Sequence, residues 1–451
     1  MERKTSLFSL LAIGFMLFAL FFGAGNLIFP AQLGQLSGDN LWIAAAGFLI
    51  TGVGLPLLGV LAMAYSGSNN LQDLASRVHP IYGLLFTALL YLTIGPFFAA
   101  PRTGTVAYEI GIAPFVSDSF DNTAMLLFTI LFFIITLLFS LFPARIVDNV
   151  GKILAPALVV LLVFLLVVAV TNPMGSIGTP QVGYESTNEA FISGFLEGYN
   201  TMDALASLVF AIIVIGVIKS MGITNQREIF KATAKSGIIA ISLLGIIYVG
   251  IMYLGATSVS LLGIFETGGP VLNGTASHYF GTFGAIILAI VIILACLTTA
   301  IGLIIANAEY FHTIFPRINY KTFVVIFATA TFIIANFGLE NIIKFSIPML
   351  MFLYPLAIVI IMLAFTSKLF NDKRSVYIIA IGVTFCISLF DGLQALTGSL
   401  EIEHFNWMNP FIDFYAKILP LYAEGLGWFL PAIVVIVISI AVSFGMRLAN
   451  R

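Results

Sequence analysis

Charge is what this chain of 451 residues has least of: Asp, Glu, Lys and Arg make up 9% of it, against roughly a quarter in water-soluble globular proteins. So few charged groups cannot cover a surface in water, which excludes a soluble enzyme, and 60% hydrophobic residues exclude a disordered chain. Neither sign of charge dominates. The 19 Lys and Arg against 21 Asp and Glu leave a net charge of −2, without the basic field that holds nucleic acid. Cysteine is nearly missing, and Cys296 and Cys386 both sit in apolar runs, where a thiol behaves as a small hydrophobe and no disulfide framework exists. The apolar runs are continuous, without the period-2 alternation of a transmembrane barrel. No convergent His, Asp or Cys set within them marks a membrane-embedded enzyme, so no catalytic residue is assigned.

Apolar sequence is what the chain has instead, with a mean hydropathy of +1.09 and 42 Phe. A bilayer core about 30 Å thick takes about 20 apolar residues as a helix. Twelve runs of roughly that size occur, at 7–36, 41–65, 81–113, 125–141, 155–170, 191–218, 238–256, 280–311, 323–337, 342–365, 376–396 and 428–445. The expected fold is an all-α polytopic membrane protein of 12 transmembrane helices, one integral unit over 1–451. Arg3 and Lys4 before the first run resemble the opening of a secretory signal, but the apolar stretch runs too far, and it reads as a spanning helix. With the N-terminus inside, all but three of the 19 Lys and Arg fall at inner flanks; Lys344 and Lys417 occupy outer loops and Arg102 lies within the third run. The positive-inside rule then places both termini in the cytoplasm of a cell membrane.

Two runs differ from the rest. The first reads F-F-G-A-G-N-L-I-F-P from Phe21 to Pro30, with Gly23, Gly25 and Asn26 in the middle of a stretch too long for one straight helix. Glycine weakens a helix by about 1 kcal/mol, and proline is tolerated best in a first turn. The sixth reads F-L-E-G-Y-N-T-M-D-A from Phe195 to Ala204, where Asn200, Thr201 and Asp203 are all helix N-cap residue types. Each is expected to be two half-helices. The breaks lie five runs apart, so the two segments run in opposite directions, the arrangement of inverted five-helix repeats.

The chemistry of such breaks follows from the peptide dipole. A half-helix ends in unpaired carbonyl oxygens and its successor begins with unpaired amide hydrogens, which leave partial charges of about half a unit. Carbonyl ends attract cations and amide ends attract anions. Side by side at mid-membrane, two breaks suit a small zwitterion plus a hard monovalent cation; an amino acid fits that description.

These motifs, together with P-R-T-G-T-V-A-Y-E from Pro101 to Glu109 and G-Y-N-T-M-D-A-L-A-S from Gly198 to Ser207, resemble the branched-chain amino acid:cation symporter family of the amino acid–polyamine–organocation superfamily. The resemblance covers essentially the whole chain. It implies a LeuT-like 5+5 inverted-repeat core, repeat one at about 7–170 and repeat two at about 190–366, with two extra C-terminal helices over about 375–447. It further implies import of leucine, isoleucine and valine coupled to sodium. Carried over by position, it places the substrate near Gly23, Ala24, Gly25, Asn26, Gly198, Tyr199, Asn200 and Asp203. A sodium ion would lie between carbonyls of Ala19, Phe22 and Ala295 and the hydroxyls of Thr298 and Thr299. Back-bonding to the preceding turn is the ordinary role for such threonines, and simple N-capping the ordinary role for Asp203.

Intramembrane charges are functional candidates by default. Arg102 and Glu109, seven positions apart on one helical face, are expected to line an outer vestibule or to pair with other helices. No cofactor is expected beyond the coupling ion, for which a proton is the alternative. A polyamine, nucleobase or metal-ion carrier on the same architecture would keep both breaks and change the pocket charges. The expected partners are an amino acid substrate and membrane lipid, with no obligate protein partner.

Overall fold

A computed structural model describes residues 7–142, 147–402 and 407–449, and among them every regular element is helical. Helices α1 (Leu7–Phe21) and α2 (Gly25–Ser37) occupy the first apolar run, and α3 (Leu41–Leu49) and α4 (Leu55–Ser66) the second. A short α5 (Leu71–Ala75) precedes α6 (Pro80–Leu92), α7 (Ala99–Gly111), α8 (Asp121–Ser140) and α9 (Val147–Thr171). Next come α10 (Thr187–Asn200), α11 (Asp203–Ser220), α12 (Gln226–Leu262), α13 (Gly268–Ile314) and α14 (Tyr320–Ala335). The chain closes with α15 (Leu339–Thr366), α16 (Arg374–Ser399), α17 (Asn409–Ile418) and α18 (Phe429–Ala449). Each of the twelve apolar runs is therefore helical. Among the described residues eight helices are long and apolar enough to cross a membrane, and α1 and α14, at 15 and 16 residues, fall short of a straight crossing. Arg3, Lys4, Arg145 and Arg451, which carry part of the charge bias, lie outside the described residues.

The molecule keeps an apolar exterior, with Leu131, Val167, Ile290 and Val437 all exposed, as a surface solvated by lipid requires. Helix α17 buries none of its residues and exposes Phe411 and Phe414, the pattern of a helix lying along the membrane interface.

Inside, α2 packs on α12, α3 on α10 and α7 on α13. Where lipid removes the hydrophobic force between helices, small residues that admit close backbone contact hold them together. A Cβ on Gly194 would stand 2.0 Å from the Ala44 carbonyl oxygen, and one on Gly47 would stand 2.1 Å from that of Phe191. Backbone cannot yield as a side chain can. Gly194→Val is therefore expected to destabilise the protein by about 3 kcal/mol or more in thermal unfolding in detergent. Gly302→Val, where nothing lies within 4 Å of the added Cβ, is expected to leave the transition unchanged.

Several features depart from the apolar-run reading; in the second run a π turn at Ile50–Gly54 separates α3 from α4. The third run is not one helix: a π turn at Thr93–Phe97 separates α6 from α7, with Gly95 at φ −91°, ψ −121°, because Gly95-Pro96 removes both a side chain and a donor. Helix α12 is longer than its apolar run, since Gln226 to Lys235 continue it through polar sequence from an Asn225 cap.

Candidate substrate and ion site at two helix interruptions

The first interruption spans Phe22 to Ala24. Helix α1 makes its last regular bond from the Phe22 amide to the Phe18 carbonyl, at 2.8 Å. The Gly23 amide, which would continue the ladder to Ala19, instead donates to Asn26 Oδ1 at 2.9 Å. That single side chain ends the helix and leaves the Ala19 carbonyl without its helical donor. Pro30 sits within α2 rather than in its first turn, and lacking an N–H it cannot donate to the Asn26 carbonyl one turn back.

The second interruption is Thr201 and Met202. Met202 adopts φ 62°, a left-handed conformation that costs an L-residue with a side chain about 1–2 kcal/mol. The Thr201 hydroxyl donates to the Gly198 carbonyl at 2.9 Å and accepts from the Asp203 amide at 3.3 Å, so it seals both sides of the turn. Asp203 does not cap with its side chain. Its carboxylate points across to the other break.

There the two interruptions meet. Asn26 Nδ2 donates to Asp203 Oδ2 at 2.5 Å and also to the Tyr248 hydroxyl, which donates in turn to Asp203 Oδ2 at 2.9 Å. Asn26 is 2% exposed and Asp203 3%. Residues 177 positions apart thus share one buried polar cluster, closed by Tyr248 from α12. Tyr199 stacks on Tyr354 with ring centroids 4.0 Å apart, and forms an aromatic wall beside Gly198 and Asn200.

Of the two roles expected for Arg102, the structure shows contact with other helices: it is 2% exposed, donates from Nη1 to the Asn200 carbonyl of α10 at 2.6 Å, and lies 5.1 Å over the Phe29 ring of α2. The physical reason is the orphan carbonyl at the C-terminal end of α10, where a cation is favoured, just as the Asp203 carboxylate is favoured at the N-terminal end of α11. Both poles of the second break are thereby met by the protein's own charges, whereas Phe22, Gly23 and Ala24 at the first bring none. Glu109 lies apart from Arg102, accepting a hydrogen bond from the Thr267 hydroxyl at the start of α13. Glu197 accepts from Asn200 Nδ2 at 2.9 Å.

The oxygens proposed for a cation lie beside the first break. Thr298 and Thr299 hydroxyls converge on the Ala295 carbonyl at 2.8 and 3.1 Å, the back-bonded arrangement ordinary for helical threonine. A Cβ on Gly23 would stand 3.8 Å from Thr299 Oγ1, which places this stretch of α13 against the end of α1. Hard oxygens of backbone and hydroxyl are the donor set small cations take.

Two roles had no signal of their own in the sequence. Tyr248 is one tyrosine in a long apolar run, and Met202 gives no hint of a left-handed turn, for which glycine or asparagine is usual.

Two broken helices, joined through a buried polar cluster in an all-α multi-pass chain, define a LeuT-type transporter rather than an enzyme. The fold agrees with solved transporters: Mhp1 in its inward-facing conformation (TM-score 0.61, 16% identity, 96% of this chain and 91% of that one) and MhsT in complex with L-phenylalanine (TM-score 0.56, 17% identity, 98% and 99%). Residues 6–445 match the family described as branched-chain amino acid transport protein, and the chain belongs to that family. It is 48% identical over 433 residues to the branched-chain amino acid permease BrnQ of Bacillus subtilis, covering 96% of each. It is 37% identical over 431 residues to the permease BrnQ of Escherichia coli, covering 96% of this chain and 94% of that one.

Proposed function

We propose that this protein is a secondary symporter that imports branched-chain amino acids, leucine, isoleucine and valine, with sodium as the coupling ion, by alternating access. Family membership supports the substrate class. The single observation that carries the mechanism is the Asn26 side chain: it joins both interruptions and withdraws the Gly23 amide from Ala19. A carbonyl released in this way is a cation ligand, and Ala19, Phe22, Ala295, Thr298 and Thr299 would hold the ion. The substrate ammonium and carboxylate would take the backbone poles around Ala24, Gly25 and Asn26, opposite Gly198, Tyr199 and Asn200, with the aliphatic side chain toward the stacked tyrosines. Sodium would favour a state open to the outside, substrate would close that side, and both would leave within. The twelve apolar runs and the Lys and Arg bias support twelve crossings, with both termini on the cytoplasmic side of a bacterial cell membrane.

A second reading, proton coupling, is favoured by Asp203, a buried carboxylate that bonds to the first break from within the second. Labelled leucine uptake into proteoliposomes under an imposed sodium gradient, compared with an equal proton gradient, separates the two. Under the sodium reading, uptake follows the sodium gradient alone, and Thr298→Ala with Thr299→Ala lowers sodium-driven uptake about tenfold or more. Sodium dependence retained in full by that double variant excludes the site.

A further inference from the structure

Away from the breaks a partly open cavity of about 410 Å³ lies between α10, α15, α16 and residues 422–425. Its walls are α10 from Asn188 to Leu196, the middle of α15 at Met351, and the second half of α16 from Asp391 to Ala395. Glu189, Asp391, Glu424 and Gln394 line it, and no Lys, Arg or His does. Glu189 already has a role, since its Oε2 accepts from the Ser186 amide at 3.0 Å in a capping box. Asp391 has none. It is 6% exposed, and its Oδ2 has no hydrogen-bond partner among the described residues. Tyr422, also 6% exposed, lines the same cavity, and its buried hydroxyl likewise has no hydrogen-bond partner among the described residues. Buried polar groups are ordinarily satisfied, so two that are not, beside one cavity, point to an occupant.

The lining states its chemistry. A buried carboxylate without a donor calls for a positive partner carrying hydrogens, and a phenol oxygen accepts one more. A bare metal ion does not fit: among the described residues no three His, Cys, Asp or Glu side chains converge as a metal site, and the volume is that of a small organic ligand. Leu196 and Met351 supply an apolar wall.

We propose that this cavity is a second binding site, distinct from the helix breaks, for a small aliphatic solute carrying a primary ammonium, which Asp391 and Tyr422 receive while its carbon chain lies on Leu196 and Met351. An occupant would brace α10, the half-helix that ends at Asn200, against α15 and α16.

Calorimetric titration of the purified full-length protein in detergent with 3-methylbutylamine tests this without requiring transport, so it stands or falls separately from the symport reading. Saturable binding is expected, weakened about tenfold or more by Asp391→Asn and about threefold by Tyr422→Phe, with the KM for leucine uptake unchanged in both. Displacement of the amine by leucine identifies an amino acid as the occupant, and failure of leucine to displace it identifies a free amine. Absence of saturable binding, or equal affinity in wild type and Asp391→Asn, overturns the proposal. Should Asp391→Asn fail to elute as the monodisperse wild-type species, Tyr422→Phe decides by the same comparison.

Discussion

Replacing Asn26 with leucine is expected to reduce leucine uptake in proteoliposomes about 100-fold or more while the protein still inserts and elutes as wild type. The side chain makes three bonds: it accepts from the Gly23 amide and donates to Asp203 and to Tyr248. Removing it strands buried partners on both interruptions, and each such loss costs about 1–3 kcal/mol. The Gly23 amide would then be free to return to the Ala19 carbonyl, so α1 gains a turn and the ion loses a ligand. Sodium dependence should fall with uptake. A variant that keeps more than about a tenth of wild-type uptake would show that the two breaks act without this link.

The second large effect concerns stability. Arg102→Met is expected to cost about 3–5 kcal/mol, read as a lowered unfolding midpoint in detergent, because it strands the Asn200 carbonyl and leaves the buried Asp203 carboxylate without the guanidinium that interacts with it. Methionine keeps much of the length of the side chain, so the cost is one of charge and hydrogen bonding more than of volume. Combining it with Asp203→Asn tests the electrostatic account. The pair should cost less than the sum of the single changes, since the double variant buries no lone charge; strict additivity would mean that the two charges do not sense each other.

Much of the site could be read from residue types alone. Gly-Ala-Gly-Asn and Asn-Thr-Met-Asp are poor helix in the middle of otherwise apolar runs, and their offset of five runs implied opposed directions. Both interruptions occur where those residues stand, at Phe22 to Ala24 and at Thr201 to Met202. Composition reports where a helix is weak. It does not report which distant groups repair the weakness. Arg102 on α7 reaching the Asn200 carbonyl, and Tyr248 on α12 reaching Asp203, are tertiary contacts with no local periodicity. The interruption at Gly95 was present in the sequence as Gly-Pro but was masked by strongly apolar neighbours on both sides. The ends of α12 were hidden for the opposite reason, because hydropathy stops at the lipid boundary while the hydrogen-bond ladder continues into water.

The glycine contacts have a consequence for motion. A Cβ on Gly34 would stand 2.0 Å from the Met252 carbonyl oxygen, and one on Gly255 would stand 2.2 Å from that of Ala31, so α2 and α12 touch main chain to main chain. Surfaces meshed at that distance cannot shear past one another. If the transporter rocks, α2 and α12 travel together as one rigid strut, and the slip planes lie along interfaces cushioned by side chains.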